Sequence, residues 1–206
     1  MMTPNFALDV LPELVEAFGD EKVFKFLHLP LQSGDDDVLR AMNRCYTVEE
    51  FKTVVKAFMT AFPDITLATD AICGFPGETR EAFENTLKLI RGAKPDIVNV
   101  SKFFARPKTS AASITKGLVG QVEIKRRSGE MAKLAKTLSL KRNQRWKNWT
   151  GTVLIDEKGK IPGSWVGRNF VYKPIAVKSS ADLLGKTLTV QVKEAFGTYL
   201  AGAVVD

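Results

Sequence analysis

The chain has 206 residues, of which 45% are hydrophobic, with a formal net charge of +7 at pH 7 and a pI near 9.4. This composition excludes a disordered chain and a membrane-spanning one, since no stretch approaches the roughly 20 apolar residues of a span. We predict one medium and one small domain, an anionic partner, no membrane partner and no signal peptide. Two distant cysteines make no disulfide framework, so a cytoplasmic protein is expected.

The first half of the chain alternates predicted helices and strands. A helix over about 8–18 comes first, and a capping box formed by Thr47 and Glu50 starts a later one. The predicted strands are 23–31, 65–73 and 96–104, and the remaining helices are 35–43, 47–62 and 79–92. In parallel order, these units make half of a βα barrel rather than a whole one.

Two of these strands end in polar residues and glycine. Residues 65–79 form a strand carrying Asp70, a turn with three helix-breaking residues from Gly74 to Gly77, and a helix start. Residues 24–34 form a second strand that ends in Gln32, Ser33 and Gly34. Either turn alone is typical of any βα loop. Because ligands collect at the carboxyl ends of parallel strands, the two together predict a binding edge.

The candidate ligand-binding side chains of that edge differ in chemistry. Gln32 and Asp70 offer an amide and a carboxylate, which suit a sugar hydroxyl or an α-amino group. Arg44 either binds a ligand carboxylate or pairs with a helix acid. His28 is the only histidine, and a histidine without a nucleophile or metal partner is more often structural than catalytic.

From residue 118 the pattern changes. A helix with Lys and Arg on its polar face is predicted within 122–140, and residues 142–149 connect it to an all-β segment. The predicted strands of that segment are 150–156, 164–168, 173–177, 187–195 and 198–205. Five short strands in a segment of this length suit a small closed barrel of the OB type.

The β-rich segment places aromatic side chains among positive charges, a combination that stacks bases and holds phosphates. The candidate RNA-binding residues are Arg168, Asn169, Tyr172, Lys173 and Tyr199. The alternative is that Trp165, Phe170 and Tyr199 form the core of the barrel instead.

Several short sequence motifs resemble those of the radical S-adenosylmethionine methylthiotransferases. They are Leu29-Pro30-Leu31-Gln32-Ser33-Gly34, then residues 38–44 with Tyr46, then Thr69-Asp70 and Gly74-Phe75-Pro76-Gly77-Glu78-Thr79. The C-terminal part resembles the TRAM domain of that family, a small RNA-binding barrel. The resemblance implies a partial radical SAM α/β barrel with a basic linker helix in 1–142 and an OB-like TRAM barrel in 143–206. It also implies S-adenosylmethionine contacts from Gln32, Ser33, Arg44, Asp70 and Gly74.

The resemblance further implies a tRNA methylthiotransferase that acts on an adenosine beside the anticodon, one carrying threonylcarbamoyl. Residues 167–174 resemble the archaeal and eukaryotic branch of the family. The alternatives are a ribosomal-protein methylthiotransferase and a non-catalytic RNA-binding module.

The iron–sulfur chemistry of the family is not matched by the cysteines. Family members hold a [4Fe–4S] cluster with a Cys-x3-Cys-x2-Cys motif, whereas this chain has only Cys45 and Cys73. We therefore expect no metal site, a buried Cys73 and a passive Cys45. The chain resembles the C-terminal half of a longer enzyme, inactive by itself. The open edge of half a barrel predicts self-association.

Overall fold

The computed structural model describes residues 8–105 and 107–205, which form an α/β unit followed by a β-barrel. The α/β unit contains α1 (Leu11–Ala17), β1 (Phe26–His28), α2 (Asp36–Ala41), α3 (Val48–Ala61), β2 (Thr66–Cys73), α4 (Arg80–Ala93), β3 (Ile97–Lys102) and α5 (Gln121–Gln144). The barrel contains β4 (Thr150–Lys158), β5 (Ser164–Arg168), β6 (Pro174–Lys178), β7 (Thr187–Ala195) and β8 (Leu200–Val204). Among the helices of these two ranges, none is both long and apolar enough to cross a membrane.

The sheet of the α/β unit is parallel, in the order β1-β2-β3, with Ala68 opposite both His28 and Ile97. Side chains alternate along β2, so Leu67, Ala71 and Cys73 enter a core formed with the helices. The opposite face carries Asp70, whose side chain is 24% exposed. Within the described ranges β1 and β3 are the sheet edges, so self-association through an edge stays a prediction.

The helix starts follow the chemistry of their caps. Thr47 and Glu50 form the predicted capping box of α3, and Asp35 and Thr79 cap α2 and α4 through their side chains. These bonds satisfy amide groups that the first turn of a helix leaves unpaired. The local sequence therefore determined where these helices begin.

The first strand is shorter than the predicted 23–31. Pro30 has no amide hydrogen, and the amide of Leu31 donates to the Thr69 hydroxyl at 3.0 Å instead of to a strand carbonyl. The chain rejoins the sheet only at a single bridge between Gln32 and Ala71. The proline therefore interrupts the ladder and releases the residues that follow it at the carboxyl edge.

The five predicted strands of the second unit are confirmed. They close into a barrel in the order β4-β5-β6-β8-β7, and β7 pairs with β4. Its core includes Val153, Ile155 and Trp165, so Trp165 is a core residue as the alternative interpretation held. Phe170 and Tyr199 are 49% and 39% exposed, so that interpretation fails for these two rings.

Helix α5 joins the two units. It packs along β3 and α4, and its last turns reach β7 of the barrel. It ends at Gln144, close to the predicted domain division at residue 143. The barrel consequently lies at the amino ends of the three parallel strands, away from the predicted binding edge.

Candidate functional site

Three polar side chains lie across the open face of the sheet at its carboxyl edge. His28 Nε2 is 3.0 Å from Asp70 Oδ1, and Asn99 Nδ2 donates to the same oxygen at 2.8 Å. The side chains of His28 and Asp70 are 20% and 24% exposed. We call His28, Asp70 and Asn99 the polar row. It holds a carboxylate in a fixed position while leaving its second oxygen without a described partner.

Gln32 and Ser33 follow the interrupted strand. The amide of Gln32 donates to the carbonyl of Asp70 at 2.8 Å, and its own carbonyl accepts from Ile72 at 2.9 Å. Its φ of 67° is in the left-handed region, which turns the chain sharply away from the sheet. Ser33 is fully buried, and its hydroxyl finds no partner within the described part of the chain. Gln32 is thus bonded to the backbone of Asp70, and both Gln32 and Ser33 are buried.

Arg44 lies beside Tyr46, whose hydroxyl donates to the carbonyl of Leu31 at 2.8 Å. Burial raises the pKa of Tyr46 to about 12; Arg44 acts in the opposite direction, and Asp70 adds to the rise. These three side chains therefore share one electrostatic neighbourhood. In residues 8–105 and 107–205 no ion pair involves Arg44, and its buried Nε has no partner there. The alternative of pairing with a helix acid is accordingly not observed.

Gly74 is required by packing. Its φ is 84°, and a Cβ at this position would lie 2.3 Å from Cγ1 of Ile124 on α5. Its amide donates to Glu78 Oε2 at 2.7 Å within the same turn. That bond commits the amide to the protein, so the structure provides a reason for this glycine that involves no ligand.

A buried ion pair anchors the same turn to α5. Arg127 donates to Glu78 Oε2 at 2.7 Å and to the Glu78 carbonyl at 2.8 Å, with the two side chains 6% and 1% exposed. Burial raises the pKa of Glu78, although the bonds from Arg127 and Gly74 oppose that rise. No local pattern of residues predicts this pair, because its members are 49 residues apart.

The residues present do not fit an iron–sulfur cluster. The chain has two cysteines: Cys45 is exposed, whereas burial raises the pKa of the Cys73 thiol to about 12. Throughout the described part of the chain, no group of three His, Cys, Asp or Glu side chains could hold a metal ion. S-adenosylmethionine is a different case, because the polar row leaves a carboxylate oxygen open to a ligand amine or hydroxyl.

A second polar cluster lies at the junction of the two units. Asp96 Oδ2 accepts from Arg142 at 2.9 Å and from the amide of Leu67 at 3.0 Å, and its Oδ1 accepts from Lys173 at 2.7 Å. Lys173 also donates to Asn143 at 2.8 Å. We call Asp96, Arg142, Asn143 and Lys173 the junction cluster. It connects the sheet, helix α5 and the barrel through buried, charge-assisted hydrogen bonds.

The junction cluster changes the roles expected for two residues. Lys173 is 4% exposed, with its ammonium between Asp96 and Asn143, so it does not reach a phosphate at the surface. Asn169 is 1% exposed, and its Oδ1 accepts from the amides of Val171 and Lys173. Both side chains are buried and held by hydrogen bonds within the protein. We therefore remove them from the RNA-binding set as a correction.

The charge of Asp96 is maintained by its partners. Burial acts to raise the pKa of this carboxyl, but the charges and hydrogen bonds of Lys173 and Arg142 outweigh burial and lower it. Asp96 therefore stays ionised in the folded chain, in a position where an unpaired carboxylate would be costly.

The other three candidates for RNA contact lie at the surface. Arg168 Nε is 3.1 Å from Asp156, and its guanidinium lies 4.9 Å from the ring centre of Tyr172. Tyr172 is 38% exposed. Tyr199 is 39% exposed and stacks on Phe196 with ring centres 4.6 Å apart. Two exposed rings and one paired guanidinium thus remain from the predicted set.

Two family models match this chain. Residues 1–90 match the radical SAM superfamily, and residues 147–205 match the TRAM domain. The first match contains the polar edge up to Glu78, and the second contains the five-stranded barrel.

Relatives match over the whole chain. A protein of Pyrococcus abyssi named "Probable threonylcarbamoyladenosine tRNA methylthiotransferase" is 44% identical, over 100% of this chain and 47% of the relative. The threonylcarbamoyladenosine tRNA methylthiotransferase of Xenopus laevis is 34% identical, over 100% of this chain and 36% of the relative. The chain spans about half the length, or less, of the curated relatives that it matches.

A solved structure supports the fold. The coproporphyrinogen III oxidase HemN of Escherichia coli, a radical SAM enzyme, aligns with a TM-score of 0.54 at 19% identity, over 96% of this chain and 48% of that one. At this identity the likeness concerns the fold alone. The chain thus carries a radical SAM segment and a TRAM domain, and over its whole length it is similar to a part of proteins named threonylcarbamoyladenosine tRNA methylthiotransferase.

Proposed function

We propose that this chain is the part of a tRNA methylthiotransferase that holds S-adenosylmethionine at the carboxyl edge of its sheet and RNA on its barrel. The observation that carries the proposal is the 44% identity to a methylthiotransferase relative along the entire chain, both domains included. The names of the relatives suggest the substrate, an adenosine in tRNA that carries threonylcarbamoyl. The reaction itself is proposed for relatives of which this chain spans about half, and not for this chain alone.

The polar row is suited to hold a ligand amine or hydroxyl. Asp70 presents a carboxylate whose orientation is fixed by His28 and Asn99, so little side-chain entropy is lost when a ligand binds. Gln32, whose backbone amide bonds the carbonyl of Asp70, and Arg44, which lies beside Tyr46, are the further candidates for contact with the polar end of the cofactor. When bound, S-adenosylmethionine would supply the methyl group of the transfer.

The barrel carries the surface for RNA. Lys and Arg outnumber Asp and Glu by nine to five in residues 143–206, which favours contact with a phosphate backbone. Tyr199 is already stacked on Phe196, and an unpaired base could stack on its ring in turn. Lys173 and Asn169 contribute by fixing the loop that carries Tyr172 and not by touching RNA.

A second candidate function is binding without catalysis. It is favoured by the cysteine content, since two cysteines cannot provide three cluster ligands of the family type. The two candidates differ in what the chain does with S-adenosylmethionine. A pure RNA-binding module would bind tRNA but not S-adenosylmethionine.

The proposal is tested by measuring binding of the 206-residue chain to a tRNA transcript by fluorescence anisotropy over a salt series. We expect affinity to fall steeply with salt because phosphate contacts release counterions. Tyr199→Ala should weaken binding by roughly 1–3 kcal/mol if the ring stacks on a base. Leu184→Ala is the matched control, because this residue is also exposed on the barrel but is apolar and not aromatic.

Two results would contradict the RNA assignment. One is wild-type affinity no greater than that of a neutral protein of similar size. The other is an equal effect of the Tyr199 and Leu184 substitutions. Cofactor binding is tested separately by equilibrium dialysis with labelled S-adenosylmethionine, and tRNA binding without any cofactor binding would leave the RNA-binding module as the function of this chain.

A further inference from the structure

A cavity of about 430 Å³ lies between the amino ends of the parallel strands and the barrel. This volume is within the range of about 300–1,000 Å³ that small-ligand pockets occupy. Its walls come from both units and include Phe26, Ile97, Ala135, Tyr172, Pro174 and Thr198. Ile97, Tyr172 and Thr198 are solvent-exposed, so the cavity opens to the surface.

The walls combine flat apolar surface with cationic groups. Phe26 and Tyr172 contribute aromatic rings with centres 5.5 Å apart, and Ile97 and Pro174 extend the apolar surface. Lys136 and Arg168 also line the cavity, and Lys136 is exposed. A planar, weakly polar ring attached to an anionic group matches this combination, and a nucleotide has both features.

Tyr172 is held in an unusual conformation at the cavity wall. Its φ of 63° is in the left-handed region, which a residue with a bulky side chain seldom adopts. Asn169 bonds the loop amides on both sides of Tyr172, and the neighbouring Lys173 is fixed in the junction cluster. The protein thus maintains a strained backbone that places this ring between Phe24, Phe26 and Arg168.

The cavity and the polar row lie on the same face of the sheet. Thr66, which lines the cavity, and Asp70 are four residues apart on β2, so their side chains project from the same face. At the rise of a parallel strand, they are roughly 13 Å apart along it. RNA that enters the cavity would therefore pass near the candidate cofactor edge.

We propose that the interdomain cavity takes one unpaired nucleobase of the bound RNA, with the base against Phe26 and Tyr172 and its phosphate near Lys136. This inference rests on the RNA binding of the proposed function and adds a specific site for one nucleotide. The base loses stacking on its neighbours in the RNA strand, and contacts with the aromatic rings of the cavity replace that stacking.

The test fills the cavity without removing any group from it. Ala135 is a buried lining residue in the middle of α5, and leucine is as good a helix former as any large apolar residue. Ala135→Leu should weaken binding of a tRNA transcript roughly five- to hundredfold at constant salt, the effect of one lost base stack. The slope of affinity against salt should not change, because no cation is removed. Ala132→Leu, on the same helix and outside the cavity, is the matched control.

A second measurement uses adenosine monophosphate alone as the probe in an NMR titration of the full chain. In the wild type we expect shifts of amides at 97–98, 172–173 and 197–198, and Ala135→Leu should abolish them. The inference would be overturned if the Ala135→Leu variant bound the transcript as tightly as the wild type does while unfolding at the same temperature as the wild type. Equal losses for Ala132→Leu would also overturn it. A wild-type chain that binds no transcript at all would instead overturn the proposed function itself.

Discussion

The two polar clusters of this protein lie at opposite ends of the same three strands. At the carboxyl end, Asp70 accepts hydrogen bonds from His28 and Asn99 and remains 24% exposed. At the amino end, Asp96 accepts from Lys173, Arg142 and a backbone amide, and its side chain is 1% exposed. The Asp70 carboxylate keeps one oxygen available to a ligand, whereas both oxygens of Asp96 accept hydrogen bonds from the protein.

The difference shows that burial, rather than residue type, decides what a carboxylate does. A buried carboxylate must be paired with charges and hydrogen bonds, and here the pairing joins two domains. A carboxylate near the surface needs fewer partners and stays available. The junction cluster therefore determines how the barrel meets the sheet, whereas the polar row is left for binding.

The largest expected effect comes from breaking the junction cluster. Asp96→Ala leaves Lys173 and Arg142 as buried, uncompensated cations, which should cost about 3–5 kcal/mol in the free energy of unfolding. Urea unfolding at pH 7 measures this loss. Asp64→Ala is the control, because Asp64 is 64% exposed and lies 4.0 Å from Arg145. It should cost no more than about 1 kcal/mol.

The same prediction has a pH dependence of definite sign. The folded-state pKa of Asp96 is below its ordinary value of 3.8, so its contribution to stability is present above that pH. It is lost as the pH falls through the folded-state pKa. The difference between the wild type and Asp96→Ala should therefore shrink in acid. A difference that grows as the pH falls below 3.8 would contradict the assigned role.

A smaller effect is expected from the pair that anchors the Gly74–Glu78 turn to α5. Arg127→Ala should destabilise the chain by about 3 kcal/mol, near the lower end for a broken buried pair, because the raised pKa of Glu78 lets the carboxyl accept a proton. Arg126→Ala is the control. Its side chain is 47% exposed and pairs with Glu123 and Glu130 on the helix surface.

Arg126→Ala should change stability only slightly, because solvent screens an exposed ion pair. The losses of stability for two neighbouring arginines on one helix would thus differ severalfold. Thermal unfolding of the two variants side by side measures the difference. Equal losses would mean that the buried geometry at Arg127 contributes no more than a surface pair.

The sequence predicted the polar edge better than the junction. The position of Asp70 and Gln32 at the carboxyl edge was predicted because polar residues at the carboxyl ends of parallel strands are a local signal with a general cause, whereas their role in binding stays a prediction. The capping box of Thr47 and Glu50 and the five barrel strands were also predicted from local patterns. Each of these features depends on a few neighbouring residues.

The junction depends on residues far apart in the chain. Lys173 lies in a stretch of basic and aromatic residues that is typical of an RNA surface, and its partner Asp96 is 77 positions away. No local pattern distinguishes a lysine that meets a phosphate from one that meets a buried carboxylate. The short first strand has a local cause in Pro30, but the hydroxyl of Thr69 that replaces the missing strand pairing comes from another strand.

The smallest effect on stability, and the sharpest contrast with Asp96, is expected from Asp70→Asn. Both donors of the polar row bond the same oxygen, and an asparagine carbonyl can accept both bonds. The free energy of unfolding should change by less than about 1 kcal/mol. Affinity for S-adenosylmethionine should fall roughly tenfold or more, because a charge-assisted bond to the ligand amine is lost. Thermal unfolding and equilibrium dialysis measure the two effects, and Asp64→Asn, which removes an exposed carboxylate outside the polar row, is the control that should change neither. A loss of stability as large as that of Asp96→Ala would mean that the polar row supports the fold and is not held open for a ligand.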